Sequence, residues 1–123
     1  MLACLLRIKD RRECRLRRQM KALTQQLQQT EQQDLQCQTR RKDLSQALNQ
    51  LLLWSGTLPS RELMAQKQAM NDLFHEEYGL AQQQRLLADV QKRLQEQLSR
   101  LQQELVSIMK KKEKLRSLLN DEH

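Results

Sequence analysis

The sequence predicts an all-α chain in which two long helices fold back as an antiparallel coiled-coil hairpin, with the bend near residues 54–60. Three observations lead there. The composition is dominated by 25 Leu and 21 Gln, with one Phe, one Trp and one Tyr among 123 residues. Aromatic residues normally supply much of a globular core, so a thick core is not expected. Apolar residues recur every 3.5 positions on both sides of one short segment, and that segment, "LLLWSGTLPS", holds the only proline, the only tryptophan and one of the two glycines. We therefore expect one hairpin over 1–123: a first helix over about 2–53, a turn over about 54–60 and a second helix over about 61–120.

The first helix carries its repeat from Leu51 backwards through Leu48, Leu44, Arg41, Cys37, Asp34, Thr30, Leu27, Leu23, Met20 and Leu16, then Glu13, Lys9, Leu6 and Leu2. A 3.5-residue period keeps one stripe facing a partner helix as the two supercoil. In the turn, Gly56 suits the left-handed residue that ends a helix, and Pro59 suits the first turn of the next. Trp54 and Leu58 are placed to cover the open end of the stripe.

The second helix is the more regular. Steps of three and four from Leu63 reach Gln66, Met70, Leu73, Glu77, Leu80, Gln84, Leu87, Gln91, Leu94, Leu98, Leu101, Leu105, Ile108, Lys112, Leu115 and Leu119. Twelve of these seventeen positions are apolar and the phase never slips, which is the coiled-coil signature. If the arms are of equal length about the turn, Leu51 faces Leu63, Leu44 faces Met70, Leu27 faces Leu87, Met20 faces Leu94, Leu16 faces Leu98 and Leu6 faces Ile108. In the same register Thr30 faces Gln84, and Arg41 lies one layer from Glu77, close enough for an ion pair that would help to set the register.

The charge of +7 is uneven. Residues 1–21 carry a net +6 and residues 109–123 a net +2, and a hairpin brings these segments together. Such a field steers and docks something acidic. Nucleic acid is one acidic class, and a basic stretch followed by heptads has the layout of a basic-zipper protein. Gly56 and Pro59 argue against the parallel dimer this needs, and "RIKDRRECRLRR" lacks a side chain suited to reading bases. Catalysis is not expected: His75 and His123 are isolated, no phosphate-binding loop occurs, and a two-helix chain offers no enclosed pocket. No metal or other cofactor is implied. Cys4, Cys14 and Cys37 are too far apart on one helix to meet, which suits a reducing cytosol. The apolar runs are far shorter than the roughly 20 residues of a membrane span, and an apolar-then-basic start reverses the order of a secretory signal.

Three segments, "LLRIKDRRECRLRRQM", "WSGTLPSRELMAQKQAMNDLF" and "IMKKKEKLRSLL", resemble the corresponding parts of the YscO/FliJ family, the central-stalk proteins of bacterial type III secretion systems. The injectisome members, which serve virulence, are the more similar, and the resemblance covers essentially the whole chain. It implies an antiparallel coiled coil in the bacterial cytoplasm, at the cytosolic face of the secretion apparatus. Its paired ends would insert into the hexameric secretion ATPase and promote its activity. The stalk would also link that ATPase to the cytosolic domain of the export gate, and some family members bind secretion chaperones. On that model Arg7, Arg11, Arg12, Arg15, Arg18, Lys110, Lys111, Lys112 and Lys114 are the expected ATPase contacts, chosen by charge and position. Trp54, Leu58, Phe74 and Tyr78 are candidate contacts for the gate or a chaperone, with packing within the hairpin as the alternative. Two other readings are a self-associating structural coiled coil and an adaptor for chaperones or cargo that does not activate an ATPase.

Overall fold

The computed structural model describes residues 1–54 and 59–121, and these form two helices, α1 (Leu2–Trp54) and α2 (Ser60–Asp121). No strand occurs among the described residues. Local propensity explains the helices: Leu, Gln, Arg, Lys and Glu are all good helix formers, and neither helix contains proline. At the start of α2, the Pro59 carbonyl accepts the Leu63 amide at 2.8 Å. Pro59 therefore stands at the N-cap, just outside the helix, where its missing N–H loses nothing. Glu62 lies in the first turn, a favourable place for a carboxylate against the helix dipole. The expectations for Gly56, Leu58 and the Trp54 side chain lie outside the described residues.

Gly79 is in mid-helix, exposed, and a Cβ built on it would meet nothing within 4 Å. It marks neither a left-handed residue nor a close approach. Gly79→Ala is expected to raise stability by about 0.5–1 kcal/mol through backbone entropy alone, measured as a higher denaturant midpoint by circular dichroism. An unchanged or lower midpoint would show that the glycine is needed where it stands.

The contacts group into two compact units. One is formed by Met1–Gln29 with Gln91–His123, here the terminal unit, and the other by Thr30–Val90, the middle unit. In each, the helices run antiparallel and bury one stripe of α1 against one stripe of α2.

In the middle unit the interior is Thr30, Cys37, Leu44, Gln66 and Leu87, with Leu44 the most completely enclosed. The seam residues Leu48, Leu51, Leu63, Met70, Leu73 and Leu80 are half-buried. The polar seam residues are joined across the helices. Arg41 donates to Glu77 Oε1 at 2.8 Å and to Gln84 Oε1 at 2.6 Å, while Gln84 Nε2 donates to Asp34 Oδ1 at 3.2 Å. Beside them Arg40 grips both oxygens of Glu76, at 2.7 and 3.1 Å. Gln66 Nε2 donates to the Leu51 carbonyl in the last turn of α1, tying the first turns of α2 to the end of α1.

In the terminal unit Leu16, Leu105 and Ile108 form a buried cluster, with Met20 and Leu101 packed against it. Leu94 is buried, and Leu23, Leu27 and Leu98 are half-buried. These contacts correct the equal-arm register. Leu16 meets Leu105 and Ile108 rather than Leu98, and Ile108 is accordingly not opposite Leu6. The difference is about one heptad. A seven-residue slide leaves every leucine on the seam, so the apolar pattern does not forbid it. The buried charges do. With equal arms, Lys112 would face Leu2 and Glu13 would face Leu101, leaving Lys112 with no carboxylate opposite it and Glu13 with Arg17 of its own helix alone. In the structure Lys112 Nζ instead donates to Glu13 Oε2 at 2.6 Å and also reaches Asp10. The middle unit departs from equal arms in the same sense: Gln84 bonds Asp34 rather than facing Thr30, and Arg41 reaches Glu77 directly. Breaking such a pair is costly, so pairing selects among registers that hydrophobic contact leaves nearly equivalent.

Candidate partner-binding surface

The terminal unit concentrates the positive charge. It holds 16 Lys and Arg against 7 Asp and Glu, a net of +9, whereas the middle unit holds 6 against 8, a net of −2. The antiparallel packing produces this by placing the two basic ends of the sequence in one unit. Arg7, Arg11, Arg12, Arg15 and Arg18 on α1 and Lys110, Lys111 and Lys114 on α2 are all exposed there.

Lys112 is the exception among the cations chosen from the sequence. It is buried, and its side chain is 11 % exposed against 16 % for that of Glu13. The bonds that Lys112 donates, to Asp10 first and then to Glu13, push its pKa up, while burial opposes them. Glu13 is held below the usual carboxylate range, chiefly by Lys112 and then by Arg17, which donates to it at 3.0 and 3.1 Å. Lys112 thus belongs to the interior, and its neighbours carry the surface charge. The run "KKK" hides this difference, but Lys112 also falls on the 3.5-residue step, whereas Lys110 and Lys111 do not.

Phe74 and Tyr78 lie one turn apart on α2 and are 55 % and 62 % exposed. Gln82 Nε2 donates to the Tyr78 hydroxyl at 2.8 Å. Met64, Leu35, Leu52, Leu53 and Leu86 are likewise exposed in the middle unit, and sequence reasoning did not single them out for binding. Their signal was present in outline, since each is a large apolar residue off the seam. Asp10 and Arg40 were also missed. Arg40 and Glu76 are the sequence neighbours of Arg41 and Glu77, stand off the seam, and pair at its edge beside them.

No group of three or more His, Cys, Asp or Glu that could hold a metal ion occurs among the described residues, and none of their helices is long and apolar enough to cross a membrane. In the terminal unit, the hollow beside Leu23 and Leu101 is an open groove. Fold and charge together define a helical-hairpin protein whose chemistry is offered on its surface. The family model for "Secretion system apparatus protein SsaO" matches residues 2–123. A curated Salmonella typhimurium (strain LT2) protein of that name is 40% identical over 119 residues, covering 95% of this chain and 94% of that protein. The chain belongs to the SsaO family of secretion system apparatus proteins, within the YscO group of type III secretion. No solved structure matches it.

Proposed function

We propose that this protein is the central stalk of a type III secretion system, seating its terminal unit in the hexameric secretion ATPase, promoting its activity and linking it to the export gate. The observation that carries this reading is the net +9 of the terminal unit, which gathers both basic ends of a family member into one docking surface. Arg7, Arg11, Arg12, Arg15, Arg18, Lys110, Lys111 and Lys114 meet acidic groups of the ATPase, while Lys112 acts from inside by holding the two helices in register. A single asymmetric hairpin in a six-fold ring touches its subunits unequally, which suits it to a sequential nucleotide cycle. Phe74 and Tyr78, with Trp54 and Leu58, form the contact for the export gate or a chaperone. The protein works in the bacterial cytoplasm.

The test is ATP hydrolysis by the cognate secretion ATPase with and without this protein. A variant with Arg11, Arg12, Arg15, Lys110 and Lys111 changed to Gln, and Lys112 retained, should fold normally. It should raise the concentration needed for half-maximal stimulation by about tenfold or more, as expected for losing several rim charges. Full stimulation by the folded variant would remove the basic surface from the mechanism. No stimulation and no binding by the wild type would favour an adaptor that serves the apparatus without activating its ATPase.

A further inference from the structure

One flank of the terminal unit combines an apolar hollow with a border of cations. The hollow, about 410 Å³, lies between the helices and is lined by Ala22, Leu23 and Leu101, with Gln19, Gln97, Arg100 and Glu104 at its sides. Ala22 is what opens it, since a methyl group stands where a longer side chain would cover the seam leucines. Heptad spacing extends this face in both directions. Arg12 and Arg15 stand one heptad before Gln19 and Ala22, Arg93 one heptad before Arg100, Lys111 one heptad after Glu104 and Lys114 two after Arg100. All six of these Arg and Lys residues are exposed, and among the described residues none is in an ion pair. Glu104 is the one acidic residue lining the hollow.

We propose that this groove docks an acidic amphipathic α-helix of a partner protein, which completes a local three-helix bundle. A third helix would lay its apolar stripe on Leu23 and Leu101 and present carboxylates to the flanking cations. The cation spacing of one heptad, about 10 Å along a helix, is that of acidic residues repeated every seven positions on such a partner. The apolar floor and the absence of an aromatic residue from it favour a protein helix over a nucleic acid, whose bases need stacking platforms. The face shares Arg12, Arg15, Lys111 and Lys114 with the proposed ATPase contact, but the residues that line or extend the hollow and are changed below, Ala22, Arg93 and Arg100, lie outside it, so the two readings can fail separately.

The probe is a fluorescein-labelled synthetic peptide of roughly four heptads, with Leu on its seam and Glu on its flanks. Fluorescence anisotropy with the full chain would compare it with the same peptide carrying Lys for Glu, and with a version broken by a central proline. The acidic helical peptide is expected to bind more tightly than either control. Its Kd should rise by about tenfold or more for Ala22→Glu, which fills and charges the groove, and for the pair Arg93→Glu and Arg100→Glu. Both variants alter exposed positions, and circular dichroism checks their helicity. Equal binding of the proline-broken peptide, or undiminished binding by both variants, would overturn the proposal. So would binding of a single-stranded oligonucleotide that the variants abolish while the peptide fails to bind, since the groove would then serve nucleic acid.

Discussion

Leu44→Ala is expected to lower stability by about 2–4 kcal/mol, the largest loss from truncating any single leucine. Leu44 is the most deeply buried side chain, at 1 % exposure. Two helices enclose a single apolar stripe, so no second layer can collapse into the space its isobutyl group leaves. Leu53, nine residues on and 82 % exposed, provides the contrast: Leu53→Ala should stay within about 0.5 kcal/mol of wild type. Urea titration followed by helical circular dichroism measures both. Equal effects at the two positions would mean that Leu44 is not the keystone of the middle unit in solution.

Lys112→Ala is expected to cost about 2–3 kcal/mol, somewhat less than fully buried pairs lose, because the Lys112 and Glu13 side chains keep some contact with water. The loss comes mainly from what stays behind, a half-buried Glu13 carboxylate beside the leucine seam with Arg17 alone to hold it. Removing both charges together tests this: Lys112→Met with Glu13→Leu should recover most or all of the stability, since a well-packed apolar pair often equals a buried ion pair. Asp10 lies on the exposed side and remains hydrated. If the double variant were as unstable as Lys112→Ala, packing by the lysine stem rather than its charge would explain the loss.

The same cluster sets a pH dependence. The Glu13 pKa is depressed in the folded state, so its contribution is present above the ordinary carboxylate range and is lost as pH falls through the depressed value. The Lys112 pKa is raised. Its contribution is present below the ordinary lysine range and declines as pH rises above that range through the raised value. Stability attributable to the cluster should therefore be level across neutral pH and fall on both sides. The double variant should lose most of this dependence, read from urea midpoints between acid and strongly alkaline buffers.

The candidate surface was partly legible from residues alone. The basic ends are visible as charge, and Arg7, Arg11, Arg12 and Arg15 are exposed because they stand off the apolar stripe. Lys112 shows where charge counting fails: only the opposing helix reveals whether a lysine on the seam meets a carboxylate or water. The Ala22 groove was illegible for a related reason. It needs Ala22 and Leu23 from one helix beside Leu101 and Arg100 from the other, and their alignment follows from the register.

What the sequence determines by itself is local and periodic: two helices, a break between Trp54 and Ser60, and the stripe of positions that turns inward. Good helix formers with almost no Gly or Pro leave few alternatives, and a 3.5-residue period admits one face. The alignment of the two stripes was decided only in the tertiary structure. A shift by seven residues sets leucine against leucine again, so hydrophobic contact is nearly indifferent to it. The degeneracy is broken where Lys112 finds Glu13 and Asp10, and where Arg41 finds Glu77 and Gln84. Those pairings belong to both helices at once, because the cost of a buried charge depends on what stands opposite.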